Sequence, residues 1–298
     1  MEPQAVKVTF ASLFPTLHQE IQKLVQHWRY HFLGVSRLGM YLGKGRLLAL
    51  TMFGHKLILD TQDFHALKPL FRPTPIDLVL CALFNVIHGP HARYLFIHPS
   101  HAFHLFQPAS LSRGQAIRII SSRDSLWDIA QNFALNEMEV EPVFIESAYW
   151  KRHPAAPIAA PLQSLEPYPE SEVDLSPVPE GLPEAFEAQI QKNNSSNLEA
   201  LLGDDFLNMR AIVFERSSFG QIQSQDLQSL ALLNPGCCLL VYICAQDLSK
   251  EQVLEKMRQA CECGYLLWQL PHFKPLDPKA LEFSPFGKWI LLTSAYFT

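Results

Sequence analysis

Five imidazoles fall within seventeen residues: His88, His91, His98, His101 and His104. Histidine is a common metal ligand, so this is the first chemistry to weigh. His98, His101 and His104 straddle the end of an apolar run with Pro99 inside it, so the three need not share a face. No Asp or Glu lies near enough in sequence to complete a ligand set, and the pattern predicts no metal site. The six cysteines, at 81, 237, 238, 244, 261 and 263, form no CxxC pair. They read as reduced, mostly buried thiols of a cytosolic protein. Gly34-Val35-Ser36-Arg37-Leu38-Gly39 has the wrong spacing for a nucleophile elbow, and no strand precedes it. Asp60 and Asp63 suit helix capping better than metal ligation. Glu215 ends a strand-like run, the place where α/β sheets bind ligands, with Arg216 beside it. No residue is expected to be catalytic.

The turn at 98–104 is the most informative segment. Ala92-Arg93-Tyr94-Leu95-Phe96-Ile97 reads as a buried strand and runs into His98-Pro99-Ser100-His101-Ala102-Phe103-His104. In a nucleotide-cofactor fold the first such turn is glycine-rich, because only glycine lets the backbone approach a ligand closely. Here no glycine appears until Gly114. Imidazole and proline crowd the turn instead, and proline removes a backbone donor.

The surrounding elements must position these groups. Seven strand-like runs follow one another: Arg93–Ile97, Ala116–Ser121, Pro142–Glu146, Met209–Glu215, Cys237–Cys244, Gly264–Leu270 and Trp289–Ser294. Helices are expected over Asp124–Asn136, Ser224–Leu233, stopped by Asn234-Pro235-Gly236, and Lys250–Cys261, capped by Ser249. Alternation of this kind predicts a parallel sheet covered on both faces. Residues 271–288 hold several prolines and little helical pattern, which permits an antiparallel last pair. Before this unit, Leu13 to Phe32 carries one apolar stripe at helical spacing, and Arg46–Met52 and Lys56–Asp60 read as a hairpin. A short helix is expected to follow Asp60, ending before Pro69. Asp77–Ile87 fits a buried helix or a strand, and its length favours a helix. The expected division is an extension at 1–90 and a main domain at 91–298, interrupted by a proline-rich, acidic loop at 151–183.

With 298 residues, 48% hydrophobic and 18% charged, the chain is globular and not disordered. A net charge of −5 argues against nucleic acid as a partner. No run reaches the length of a membrane span, and no leader peptide is expected, so a cytoplasmic protein is predicted. Residues 1–50 carry six Lys/Arg against two Glu, while residues 160–205 carry ten acids against one lysine. The basic group (Lys23, Arg29, Arg37, Lys44, Arg46) and the acidic stretch from Glu166 to Glu187 are the surfaces offered to a protein partner or a second copy.

Several segments together resemble the FkbM family of S-adenosylmethionine-dependent methyltransferases of glycan and polysaccharide clusters. They are Leu42-Gly43-Lys44-Gly45-Arg46, then Gly54 to Asp63 ending in Asp60-Thr61-Gln62-Asp63, then Ser125 to Asn136, and Gly264-Tyr265. In the third of these, Asn132 and Asn136 match an N-x-x-x-N ending. The resemblance implies an α/β fold: a doubly wound, Rossmann-like, seven-stranded methyltransferase-type sheet with an N-terminal α/β extension. It also implies where a cofactor would bind. The family's D-x-G-A-N-x-G falls on Ile97 to Phe103, without the acid or the glycines. The ribose-binding Glu after the second strand falls on Ile120-Ser121-Ser122-Arg123, with Asp124 just beyond. The D-x-E-G after the fourth strand falls on Phe214 to Ser217, where only Glu215 is similar. Neutral serine replaces a charged acceptor for two ribose hydroxyls, which weakens those hydrogen bonds. The expectation is a diverged, non-catalytic methyltransferase-like protein without a cofactor, acting as a binding or assembly subunit, in an envelope-glycan or other multi-protein system. The alternative is an active O-methyltransferase on a glycan hydroxyl with a rebuilt S-adenosylmethionine pocket. His98, Ser100, Ser122, Asp124 and Glu215 would then line that pocket.

Overall fold

The computed structural model describes residues 15–23, 40–43, 46–50, 55–60, 75–89, 91–99, 105, 117–136, 142–147, 149–150, 182–215, 218–244, 250–283 and 287–295. Helix α1 covers residues 15–23. The strands β1 (Met40–Gly43), β2 (Arg46–Leu50) and β3 (Lys56–Asp60) form an antiparallel three-stranded meander. The hairpin of β2 and β3 is as the sequence predicts; β1, seen in sequence only as part of a short motif, adds a third strand. Helix α2 (Pro75–Ile87) settles the ambiguous apolar run in favour of a helix. The expected helix after Asp60, the latter part of the 13–33 helix and residues 151–181 lie outside the described residues.

The main sheet holds β4 (Arg93–Ile97), β5 (Ile117–Ser121), β6 (Val143–Glu146), β7 (Ile190–Lys192), β8 (Met209–Phe214), β9 (Cys238–Ile243), β10 (Tyr265–Gln269), β11 (Lys274–Pro275) and β12 (Lys288–Ser294). Their order is β11-β10-β12-β9-β8-β4-β5-β6-β7. The seven runs expected from sequence are all present. Their order makes a Rossmann-like, doubly wound sheet of methyltransferase type: the last strand, β12, lies antiparallel between β9 and β10, and the strands from β9 to β6 run parallel. As expected, β8 and β9 are adjacent, parallel and apolar on both faces, the pattern of strands buried on both sides. The sheet has nine strands rather than seven. The additions are short edge strands whose two or three mostly polar residues give no periodic signal.

Between the strands run α3 (Arg123–Leu135), α4 (Leu182–Gln189), α5 (Leu198–Leu202), α6 (Ser224–Leu233) and α7 (Lys250–Glu262). Two 3-10 turns, Gly203–Asn208 and Ser218–Gln221, flank β8. Strand residues alternate between two cores. Tyr94, Phe96, Ile117 and Ile119 join Leu80, Leu83, Phe84 and Phe133 on one face. Leu95, Ile97, Ile120 and Phe214 join Leu201, Leu227, Val253 and Met257 on the other. Burying a side chain of this size is worth about 1.5–3 kcal/mol, so two filled faces fix the register of each strand.

The meander is held to the main domain by two asparagines one helical turn apart on α3. Asn132 accepts from Ile58 N at 2.6 Å and donates to Ile58 O at 3.2 Å. Asn136 accepts from Lys56 N and donates to Lys56 O, both at 2.7 Å. Residues 56 and 58 point the same edge of β3 outward, so amides spaced i, i+4 on the helix match backbone groups spaced i, i+2 on the strand. The side chains act as a further strand and close an edge that would otherwise be open to pairing.

Candidate functional site

In a sheet of this kind a ligand binds outside the carboxyl ends of the strands, where the winding changes direction. Here that point lies between β4 and β8, which pair Ile97 with Phe214. The next residues are His98 and Glu215, two of the candidates, and both are buried. The ladder continues past the strand ends. Glu215 N donates to Ile97 O at 3.1 Å, and His98 N donates to Ile120 O at 2.8 Å. Ser218 N donates to Glu215 O at 3.1 Å, and its hydroxyl reaches Ile97 O at 3.5 Å.

His98 has φ +52°, the left-handed region that disfavours side chains other than glycine. Its ring is 1% exposed, and Nδ1 lies 3.2 Å from the Ser121 hydroxyl at the end of β5. Thus one imidazole spans the ends of the first two strands of the parallel set. Ser121, also buried, ends β5, and its hydroxyl is engaged by His98. Ile97, where the first-strand acid would stand, is fully buried in the apolar core.

Ser122 and Asp124 stand apart from this pair. Both are exposed at the start of α3. Ser122 occupies the N-cap position and bonds the Ser125 hydroxyl at 3.1 Å, and Asp124 lies in the first turn, where a negative charge suits the helix dipole. Asp124 belongs instead to an open groove lined by Arg123, Trp127, Asp128, Phe186 and Glu187, with Arg123 ion-paired to Glu187 across it. That pairing raises the Arg123 pKa. Ser100, His101, His104 and Arg216 lie outside the described residues.

The opposite wall near β8 is aromatic. Trp150 packs on Phe214 (ring centroids 6.3 Å apart) and Phe214 on Phe219 (5.2 Å), while Tyr149 OH donates to Gln221 O at 3.2 Å. Trp150 is 1% exposed, and its indole N–H finds no hydrogen-bond acceptor among the described residues. The sequence reading passed over Trp150 and Ser218. Both sit next to segments with no periodic pattern, and only the pairing of strands brings them to the site.

Other reactive groups are quiet. Burial pushes the Cys237 thiol up and that of Cys238 to about 12, and it also raises Cys261 and Cys263. All four are therefore poor nucleophiles at neutral pH. Among the described residues no group of three His, Cys, Asp or Glu side chains stands together as a metal site, and no helix is long and apolar enough to cross a membrane.

No family model matches the chain, and no curated protein sequence does. Solved structures give distant likenesses. A Pyrococcus horikoshii protein assigned as a transferase is 12% identical, with 93% of this chain and 84% of that chain covered and a TM-score of 0.38. TYW2 of P. horikoshii in complex with MeSAdo is 12% identical, with coverage of 94% and 83% and a TM-score of 0.37. SMU.776, assigned as a methyltransferase and complexed with SAH, is 11% identical, with coverage of 93% and 66% and a TM-score of 0.39. Likenesses this distant carry no functional argument. The class of the protein, a methyltransferase-type α/β fold, rests on its own strand order.

Proposed function

We propose that this chain is a diverged relative of the FkbM-type methyltransferases that has given up S-adenosylmethionine binding and works as a binding or assembly subunit, in a glycan or other multi-protein system. One observation carries the reading. The His98 ring is buried across the ends of β4 and β5 and bonded to Ser121, in the place where an adenosyl ribose would need a carboxylate and a bare backbone. Three further features support it. Ile97 is buried in place of an acid, Ser121 is neutral, and Pro99 offers no N–H to a ligand carboxylate. Glu215 is the single carboxylate at the switch point among the described residues, and its backbone is committed to the ladder.

The test is a thermal shift. A ligand that binds only the folded state at a hundred times its Kd adds about 2.7 kcal/mol of stability. Millimolar S-adenosylmethionine or S-adenosylhomocysteine is expected to leave the Tm unchanged. A saturating rise with either compound overturns the reading and restores the active-enzyme alternative.

A further inference from the structure

We draw no further inference here: the strongest candidate, the open groove between α3 and α4 lined by Arg123, Asp124, Trp127, Asp128, Phe186 and Glu187, is a cluster of acids at a helix start whose arginine is already paired with Glu187, and nothing in the structure shows what covers it.

Discussion

Two places in this molecule, the junction of α3 with β3 and the carboxyl ends of β4 and β5, differ in what their side chains hold together. At the junction of α3 with β3, Asn132 and Asn136 keep an N-x-x-x-N pattern and make four hydrogen bonds to the backbone of residues 56 and 58. At the carboxyl ends of β4 and β5, His98 and Ser121 bond each other. The first pair holds an element in place; the second joins the ends of two strands.

The largest expected effect lies at the junction. Asn132→Leu with Asn136→Leu strips the partners from β3 and leaves buried amide groups of Ile58 unsatisfied. A loss of about 2–4 kcal/mol is expected, with faster hydrogen exchange confined first to residues 56–60. Loss of stability without local exchange at β3 would break the contrast, because the asparagines would then matter only to α3.

A change at the crevice sharpens it. Ser121→Glu places an acid at the buried end of β5, beside the His98 ring. The buried carboxylate is expected to cost about 2–3 kcal/mol in chemical denaturation. A variant as stable as the parent at neutral pH would show open, solvated space at the ribose position.

A smaller effect follows from the backbone of the same turn. His98 has φ +52°, so His98→Gly is expected to be about 1 kcal/mol more stable than His98→Ala, though both lose the bond to Ser121. Equal stabilities would mean that the left-handed turn is not retained.

The smallest effect tests a buried acid away from both regions. Asp226 accepts from Leu198 N at 2.9 Å and tethers α5 to α6, while its second oxygen is buried without a partner among the described residues. Burial raises its pKa, against the pull of backbone bonds from Leu198 and Gln223 and of Lys256. With the folded value above the unfolded value of about 3.9, its stabilising contribution is complete below that unfolded value. It is lost as the pH rises through the folded value. Asp226→Asn is expected to flatten this part of the pH–stability curve, and an unchanged slope would assign the titration elsewhere.

Much of this architecture is legible in the sequence, for physical reasons. Buried parallel strands are apolar on both faces, so runs such as Ala211-Ile212-Val213-Phe214 stand out, and the Asn234-Pro235-Gly236 stop places the end of α6. The edge strands β7 and β11 and the helix α5 are too short to show a period, and β1 looked like a motif rather than a strand. The positions of His98 and Glu215 beyond β4 and β8 were legible because strand ends fix the residues that follow them. Ser122 and Asp124 follow the end of β5 and are exposed at the start of α3. The engagement of Ser121 by His98 joins residues 23 positions apart and needs the parallel register of β4 and β5 to be seen.

The central claim is that His98 and Ser121 have closed the crevice to the cofactor, and calorimetric titration of the full chain with S-adenosylmethionine tests it most directly. The account predicts no binding heat beyond dilution at sub-millimolar ligand. A saturable isotherm, or the same compound co-purifying with the protein, would contradict it.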